Sequence, residues 1–247
     1  MASRFARAVR AVHTVEDSLA FLTILFLTVL LLVDVVARKI FNTGVRDSGV
    51  YVEHLVLAAT FVAGAVTSRE KKHLALATGL FLPRSLKAFA ATFTAVLASG
   101  LTLAFGLSAM SFAWNAFTAA DRVGFLPKRL VVLVMAAGFL VMSLRFITGL
   151  EKKNGRLAAG IAAAALGIFL GFGPLVQLLT RGGTAVMPAL AAVEEALKPI
   201  LAATAGPLIF VLIGAAFLGL PIFTVLGGIG YLLFAKSGLP LEIVPNQ

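Results

Sequence analysis

Residues 21–33 read FLTILFLTVLLLV, a stretch without a charged side chain. A helix needs about 20 mostly apolar residues to cross roughly 30 Å of hydrocarbon, and the apolar character continues on both sides of this stretch. The sequence therefore predicts a membrane-spanning helix over residues 19–36. Glu16 and Asp17 stand directly before it, and no small-x-small cleavage site follows before Asp34, so we expect an uncleaved helix and not a signal peptide.

Five further stretches meet the same requirement: residues 50–68, a span within 88–120, residues 130–148, residues 157–180 and a span within 199–235. The composition agrees, because 60% of the 247 residues are hydrophobic and only 13% are charged, against about 25% charged residues in soluble domains. The mean hydropathy is +1.01. The predicted fold class is an all-α, polytopic membrane protein with about six transmembrane helices.

Composition and motifs also exclude several classes of function. The net charge of +10 does not indicate nucleic-acid binding, because the basic residues form short clusters between apolar runs, where topology and lipid headgroups call for them. The absence of cysteine excludes a thiol nucleophile, a disulfide, a Cys-ligated zinc and an iron–sulfur cluster. The sequence contains no HExxH, no Walker A loop and no nucleophile elbow, so we expect no enzyme activity and no cofactor in this chain.

The distribution of basic residues sets the expected orientation. With the N-terminus inside, the inner segments carry 13 Lys and Arg residues and the outer loops carry 8. Lys and Arg are enriched in cytoplasmic loops. We therefore predict that both ends of the chain are cytoplasmic.

The chain divides into three predicted regions: a four-helix region over residues 1–150, a linker span with an outer-surface amphipathic segment over 151–200, and a last region over 201–247. The amphipathic segment is AVMPALAAVEEALK, residues 185–198. In the last region, Pro221 within GLPIF predicts a kink or a break. The linker helix carries Gly167 and Gly171, a GxxxG-type spacing that permits close helix packing.

Charged side chains lie near the facing ends of the first two spans. Asp34 and Arg38 are four residues apart on one helix face, with the acid first, which is the better order. They form either an interfacial pair or a buried pair that fixes helix packing. Glu53 begins the second span, where Arg38 or Arg46 could pair with it. We expect a structural role for Glu53, with partner docking and catalysis as the alternatives.

A basic cluster closes the second span. Arg69, Lys71, Lys72 and His73 follow one another at its inner end. They predict a collar that fixes the topology and favours anionic lipid. Arg69 and His73 are four residues apart and share a face if the helix continues.

Two stretches, residues 33–41 (VDVVARKIF) and residues 50–76 (VYVEHLVLAATFVAGAVTSREKKHLAL), resemble the DctQ-type small membrane subunit of tripartite ATP-independent periplasmic (TRAP) transporters. That family shows an arginine after the first helix, an aromatic-x-Glu opening of the second, a Gly-Ala pair within it and Arg-x-x-x-His after it. The matching residues are Arg38, Tyr51 with Glu53, Gly64 with Ala65, and Arg69 with His73. The aromatic position usually holds Trp and here holds Tyr51. The resemblance covers about residues 15–150.

Residues 207–235 (PLIFVLIGAAFLGLPIFTVLGGIGYLLFA) resemble the opening helix of the DctM-type large subunit. Its start commonly reads Gly-x-Pro-hydrophobic, which matches Gly219 to Phe223. A four-helix small subunit ends inside whereas a large subunit begins outside, so a fused chain needs one linker helix. Residues 157–180 fit that linker. The resemblance thus implies a small subunit, a linker and the first part of a large subunit in one chain.

The resemblance implies a membrane scaffold subunit of a secondary active, sodium-coupled importer of organic acids in the bacterial inner membrane. Its expected partners are the large transport subunit, a periplasmic substrate-binding protein and membrane lipids, without nucleic acid. Substrate and sodium sites are expected in the large subunit, so no ligand is assigned to this chain. The small subunit would brace the large one and help dock the binding protein through outer loops that carry Arg46, Arg122 and Lys128.

Two other functions stay open from the residues alone. A membrane enzyme or metal protein would use His13, His54 and His73, but the span count places His54 on the opposite side from the other two. An autonomous proton-coupled carrier would use Asp34 and Glu53, with one acidic residue near each of two helix ends.

Overall fold

A computed structural model describes residues 2–70, 82–118, 120–124, 126–150, 153–180 and 187–238. Within these ranges the chain forms eight helices and one small antiparallel hairpin between α3 and α4. The helices are α1 (Ala2–Phe41), α2 (Ser48–Glu70), α3 (Arg84–Asn115), α4 (Lys128–Thr148), α5 (Lys153–Leu170), α6 (Phe172–Thr180), α7 (Met187–Phe217) and α8 (Ile222–Lys236). The strands of the hairpin are β1 (Arg122–Val123) and β2 (Leu126–Pro127).

The first two helices form a hairpin that packs on α4 through α2. α1 has 40 residues, about 60 Å at 1.5 Å per residue, so it extends beyond the predicted span at both ends. Asn42 and Asp47 flank the turn with φ angles of 53° and 58°, a left-handed conformation that Asn and Asp tolerate better than most residues. We call the end of the bundle with Glu16 and Arg69 the inner end, and that with Asp34 and Asn115 the outer end, after the predicted orientation.

The centre of the bundle is α3, which contacts α4, α5, α6, α7 and α8. Small side chains line its buried faces, among them Ala98, Thr102, Ala104 and Ser111. Small residues let helix backbones approach closely where lipid removes the usual hydrophobic driving force. Ser99 on α3 and Ser143 on α4 exchange hydroxyl-to-carbonyl hydrogen bonds of 2.9 Å in each direction.

The glycine pair predicted on the linker helix makes such a close contact with α3. A Cβ atom on Gly167 would lie 2.8 Å from the carbonyl oxygen of Gly100, and one on Gly171 would lie 3.3 Å from the Cα of Ala104. Any side chain at Gly167 would therefore push α5 away from α3.

The predicted span over residues 157–180 is broken. Its two parts, Gly155–Leu170 and Phe172–Thr180, meet at an angle of 73°. Pro174 has no N–H and so cannot donate to the carbonyl of Leu170 four residues earlier. The hydroxyl of Tyr231 donates to that carbonyl instead, at 3.1 Å. A side chain from α8 thus satisfies the backbone group that the bend exposes.

The C-terminal half differs from the sequence prediction in two ways. The stretch predicted as a separate surface helix, residues 185–198, is continuous from Met187 with α7, which runs through Pro199 and Pro207 to Phe217. The expected sixth span is not one helix, because the chain reverses at Gly219 (φ +98°) and returns as α8. The break predicted at GLPIF is confirmed.

The direction of α8 follows from its contacts. A Cβ on Gly227 would lie 3.1 Å from the ring of Phe105, and Tyr231 lies 3.2 Å from the hydroxyl of Ser108. α8 therefore runs parallel to α3 and brings Lys236 to the outer end of the bundle. The prediction that both ends of the chain are cytoplasmic rested on one span between residues 199 and 235. Because α7 and α8 form a helical hairpin, the end of α8 lies at the outer end of the bundle, whereas α1 starts at the inner end.

The all-α, multi-pass fold class is confirmed. Within the described ranges, five helices are long and apolar enough to cross a membrane, or six if α5 and α6 count as one bent span. α8, with 15 residues, is shorter than the roughly 20 residues that a full span needs.

Candidate functional site

The inner ends of three helices meet in an ionic cluster, which we call the inner network: Glu16, Asp17, Arg69 and Arg145. The carboxylate of Glu16 on α1 accepts from the Arg145 guanidinium on α4 at 2.6 Å and lies 3.5 Å from that of Arg69 on α2. Arg69 also donates to Asp17 at 2.6 Å. One carboxylate therefore bridges two arginines that belong to different helices.

Burial makes the inner network more than a surface contact. The side chains of Glu16, Arg69 and Arg145 are 14–18% exposed, and removing one member would leave a poorly solvated charge without its partner. The guanidinium of Arg145 also donates to the carbonyl oxygen of Ala65. This bond is possible because α2 approaches α4 closely at Gly64, where a Cβ would lie 3.2 Å from the sulfur of Met142.

At the outer end, Asp34 fixes the connection between α1 and α2. One carboxylate oxygen accepts from the Nε of Arg38 at 2.9 Å, and the other accepts from the backbone amide of Val45 at 2.7 Å. Asp34 is 9% exposed. A Cβ on Gly44 would lie 2.7 Å from the Asp34 carboxylate, so the turn needs glycine at this position to reach Asp34.

The connection between α3 and α4 is also held at several points. Asp121 accepts from the backbone amide of Thr118 at 2.7 Å and from its hydroxyl at 2.8 Å. These two hydrogen bonds lower the pKa of Asp121, and Lys128 adds a smaller electrostatic contribution in the same direction. The backbone amide of Lys128 donates to the carbonyl of Asp121 at 2.9 Å. These hydrogen bonds join residues within the connection and tie it to the start of α4.

The two outer connections meet at the start of α2. Gly124, in the turn between β1 and β2, has a φ of +59°, and a Cβ there would lie 2.5 Å from the hydroxyl of Tyr51. The aromatic side chain that opens α2 therefore packs directly against the hairpin. We call the connection 42–47 together with the described residues of the hairpin region 118–128 the outer face.

Arg129 anchors the outer face to α3. Its guanidinium donates to the carbonyl of Phe117 at 2.6 Å and to that of Ala113 at 3.3 Å. It also lies 4.6 Å from the ring centroid of Trp114. A cation is favourable at a helix C-terminus, where backbone carbonyls lack partners. Sequence reasoning placed Arg129 only among the outer basic residues and missed this role.

The structure places the other predicted residues as follows. Arg38 pairs with Asp34 and not with Glu53, which is exposed and forms no ion pair with any described residue. Arg46 is 96% exposed and lies 3.7 Å from the carboxylate of Asp47. Arg122 is exposed and Lys128 is half-buried on the outer face. His73 lies outside the described residues, so its proximity to Arg69 stays a prediction.

Sequence reasoning missed the inner network. In the sequence, Glu16 and Asp17 argue only against a signal peptide, and Arg145 enters only as one of the 13 basic residues of the inner segments. The available signal was the span count, which puts Glu16, Arg69 and Arg145 at one membrane edge with opposite charges. Charges at the same depth pair when their helices are neighbours.

A family model for the DctQ component of tripartite ATP-independent periplasmic transporters matches residues 27–152. The chain belongs to this family. No match was found among curated proteins or solved structures. The protein is therefore the small membrane subunit of a TRAP transporter. Members of this family are transporter components and not enzymes. Membership implies a large membrane subunit and a substrate-binding protein as partners.

The DctQ match coincides with the four-helix half of the structure. It contains the outer face, Asp34, Arg69 and Arg145, and it ends between α4 and α5. α5 to α8 lie outside it and pack on α3. The resemblance of residues 207–235 to a large subunit therefore stays a prediction.

Proposed function

We propose that this DctQ subunit braces the large subunit of a sodium-coupled importer of organic acids, carboxylates or sulfonates, in the bacterial inner membrane, and helps to dock the periplasmic substrate-binding protein. The observation that carries the docking role is the outer face. Its two connections are held by Asp34, Asp121 and Arg129, and each of them contacts Tyr51. A rigid surface suits docking because little conformational entropy is lost on contact.

The charges of the outer face support a transient contact. Arg46 and Arg122 are exposed, and Asp47 and Asp121 lie beside them in the sequence. Mixed surface charge steers association and fixes register, and it acts on the rate of encounter more than on final affinity. A binding protein that must arrive, deliver its cargo and leave needs this type of surface.

The bracing role rests on the inner network and the α3 core. The network joins α1, α2 and α4 at one end, and the serine pair joins α3 to α4 in the membrane. We place the substrate and sodium sites in the large subunit.

The test is uptake by the reconstituted complex of this chain, the large subunit and the binding protein, measured at varied binding-protein concentration. Arg46→Glu and Arg122→Glu should raise the binding-protein concentration for half-maximal uptake and change its salt dependence, because fewer attractive charges remain for salt to screen. Lys87→Glu is the matched control, because Lys87 is exposed at the start of α3, at the inner end. If the reversals changed the sodium dependence and left the binding-protein dependence unchanged, the docking role would be wrong.

A further inference from the structure

A second polar region lies at the outer end, entirely within α5 to α8. A cavity of about 410 Å³ opens between the α5–α6 bend, the first half of α7 and the end of α8. Its polar lining consists of Gln177, Glu194, Lys198 and Lys236. None of these residues falls within the DctQ match, so the cavity is no part of the four-helix subunit described above.

Two lysines line the cavity, and they differ in their ion pairs. The Lys198 ammonium lies 3.5 Å from the carboxylate of Glu194 and 3.0 Å from that of Glu195. Lys236 is exposed and forms no ion pair with any residue in the described ranges. Both carboxylates are thus engaged by Lys198, and the ammonium of Lys236 is the cation of the lining that has no ion-pair partner among the described residues.

Gln177 adds a donor to the same wall. Its side-chain oxygen accepts from the hydroxyl of Ser111 at 3.0 Å and from the amide of Asn115 at 3.1 Å. With the oxygen engaged on the α3 side, the amide nitrogen of Gln177 remains as a donor. The polar wall therefore offers an ammonium and an amide to an oxyanion.

The other walls of the cavity are apolar. Phe169, Phe172, Leu197 and Leu201 contribute to them. Lys236 ends the apolar sequence of α8, and Lys198 and Pro199 precede that of α7. The cavity therefore lies where hydrocarbon gives way to water, with the charge at the boundary and the apolar surface toward the membrane.

We propose that this cavity binds the phosphate group of an anionic phospholipid, with Lys236 and Gln177 on the phosphate and the glycerol and upper acyl part against Phe172 and Leu197. The required ligand carries one oxyanion on an apolar stem. A soluble phosphate ester offers the same oxyanion but would leave the apolar walls uncovered. The lipid gains both the charge contact and apolar burial.

The full chain, purified in detergent and stripped of lipid, is titrated calorimetrically with dihexanoyl phosphatidylglycerol below its critical micelle concentration. Dihexanoyl phosphatidylcholine and glycerol phosphate are the comparison ligands. We expect saturable binding of the phosphatidylglycerol, and weaker binding of both others. If glycerol phosphate bound as tightly as the phosphatidylglycerol, the ligand would not be a lipid. If the two lipids bound equally well, the charge of the ligand would play no role.

Lys236→Gln should raise the dissociation constant for the phosphatidylglycerol about five-fold, the effect of one basic residue near a lipid phosphate. Lys236→Arg should keep the wild-type affinity. Lys39→Gln is the matched control, since Lys39 is exposed at the outer end of α1, outside the cavity. An unchanged constant for Lys236→Gln, or an equal loss for Lys39→Gln, would overturn the proposal.

Discussion

Glu16 and Arg145 stand 129 residues apart in the chain, and their side chains meet at 2.6 Å at the inner end of the bundle. The contact joins the first helix of the DctQ region to the last. Arg69 binds the other oxygen of the same carboxylate from α2. Glu16 itself precedes the matched residues 27–152, so the domain is completed by residues that the family model does not cover.

Glu16→Gln should destabilise the folded chain by about 2 kcal/mol. The substitution keeps the shape of the side chain but leaves two arginines that are 18% exposed without their shared carboxylate. Asp47→Asn is the control, because Asp47 and its partner Arg46 are 67% and 96% exposed and exposed pairs contribute about 0–1 kcal/mol. Both values are measured by reversible unfolding in mixed micelles. Equal losses for the two variants would show that the inner network is only a surface feature.

Gly44→Ala should release the connection between α1 and α2. A methyl group at Gly44 would lie 2.7 Å from the Asp34 carboxylate, so the hydrogen bond from the Val45 amide must lengthen or break. We expect hydrogen exchange at the Val45 amide to accelerate about ten-fold or more.

Gly49→Ala provides the matched control, since a Cβ on Gly49 has no neighbour within 4 Å and alanine favours helix more than glycine does. Exchange at Val45 should stay at the wild-type rate in that variant. If Gly44→Ala also left the rate unchanged, the Asp34 anchor would not be holding the turn.

The α7–α8 hairpin predicts the side of the membrane that Ser237 faces. The chain has no cysteine, so single cysteines can be labelled with a membrane-impermeant reagent. Ser237→Cys should be labelled from the same side as Ala120→Cys on the outer face, and from the side opposite Lys87→Cys. Labelling of Ser237→Cys from the Lys87 side would restore the single sixth span and remove the hairpin.

The sequence predicted the parts of this fold that depend on local pattern. The spans of α1 to α4 follow from hydropathy, and the Asp34–Arg38 pair follows from a spacing of four residues on one helix. The hairpin in residues 199–235 was not predicted. Its apolar residues are numerous enough for one span, and hydropathy carries no information on chain direction. Only Pro221 and Gly219 marked the reversal.

The inner network could not be derived in the same way. Its pairing depends on which helices are lateral neighbours, and a single sequence gives only the depth of each charge. Glu16 could equally have faced lipid headgroups or a partner subunit. The close approach of α2 to α4 at Gly64 and Gly138, where a Cβ on Gly138 would lie 2.9 Å from that of Phe61, brings Arg69 and Arg145 to the same carboxylate.

Tyr231→Phe should destabilise the bend between α5 and α6. Tyr231 is fully buried, and its hydroxyl donates a hydrogen bond to the carbonyl of Leu170. Pro174 lacks the N–H that would otherwise donate to this carbonyl. Loss of the hydroxyl leaves that buried carbonyl without a donor, at a cost of about 1–3 kcal/mol. Tyr51→Phe is the control, because the Tyr51 hydroxyl packs against Gly124 and we expect a change within about 0.5 kcal/mol.

Pro174→Ala tests the cause of this loss. Alanine restores an N–H four residues after Leu170, so in the Tyr231→Phe background it can supply the missing donor and straighten the bend. The double variant should therefore be more stable than the sum of the two single changes predicts, by about 1 kcal/mol in a double-mutant cycle measured by reversible unfolding. If the two effects were additive, the tyrosine hydroxyl would not be replacing the bond that proline removes, and the 73° bend would need another cause.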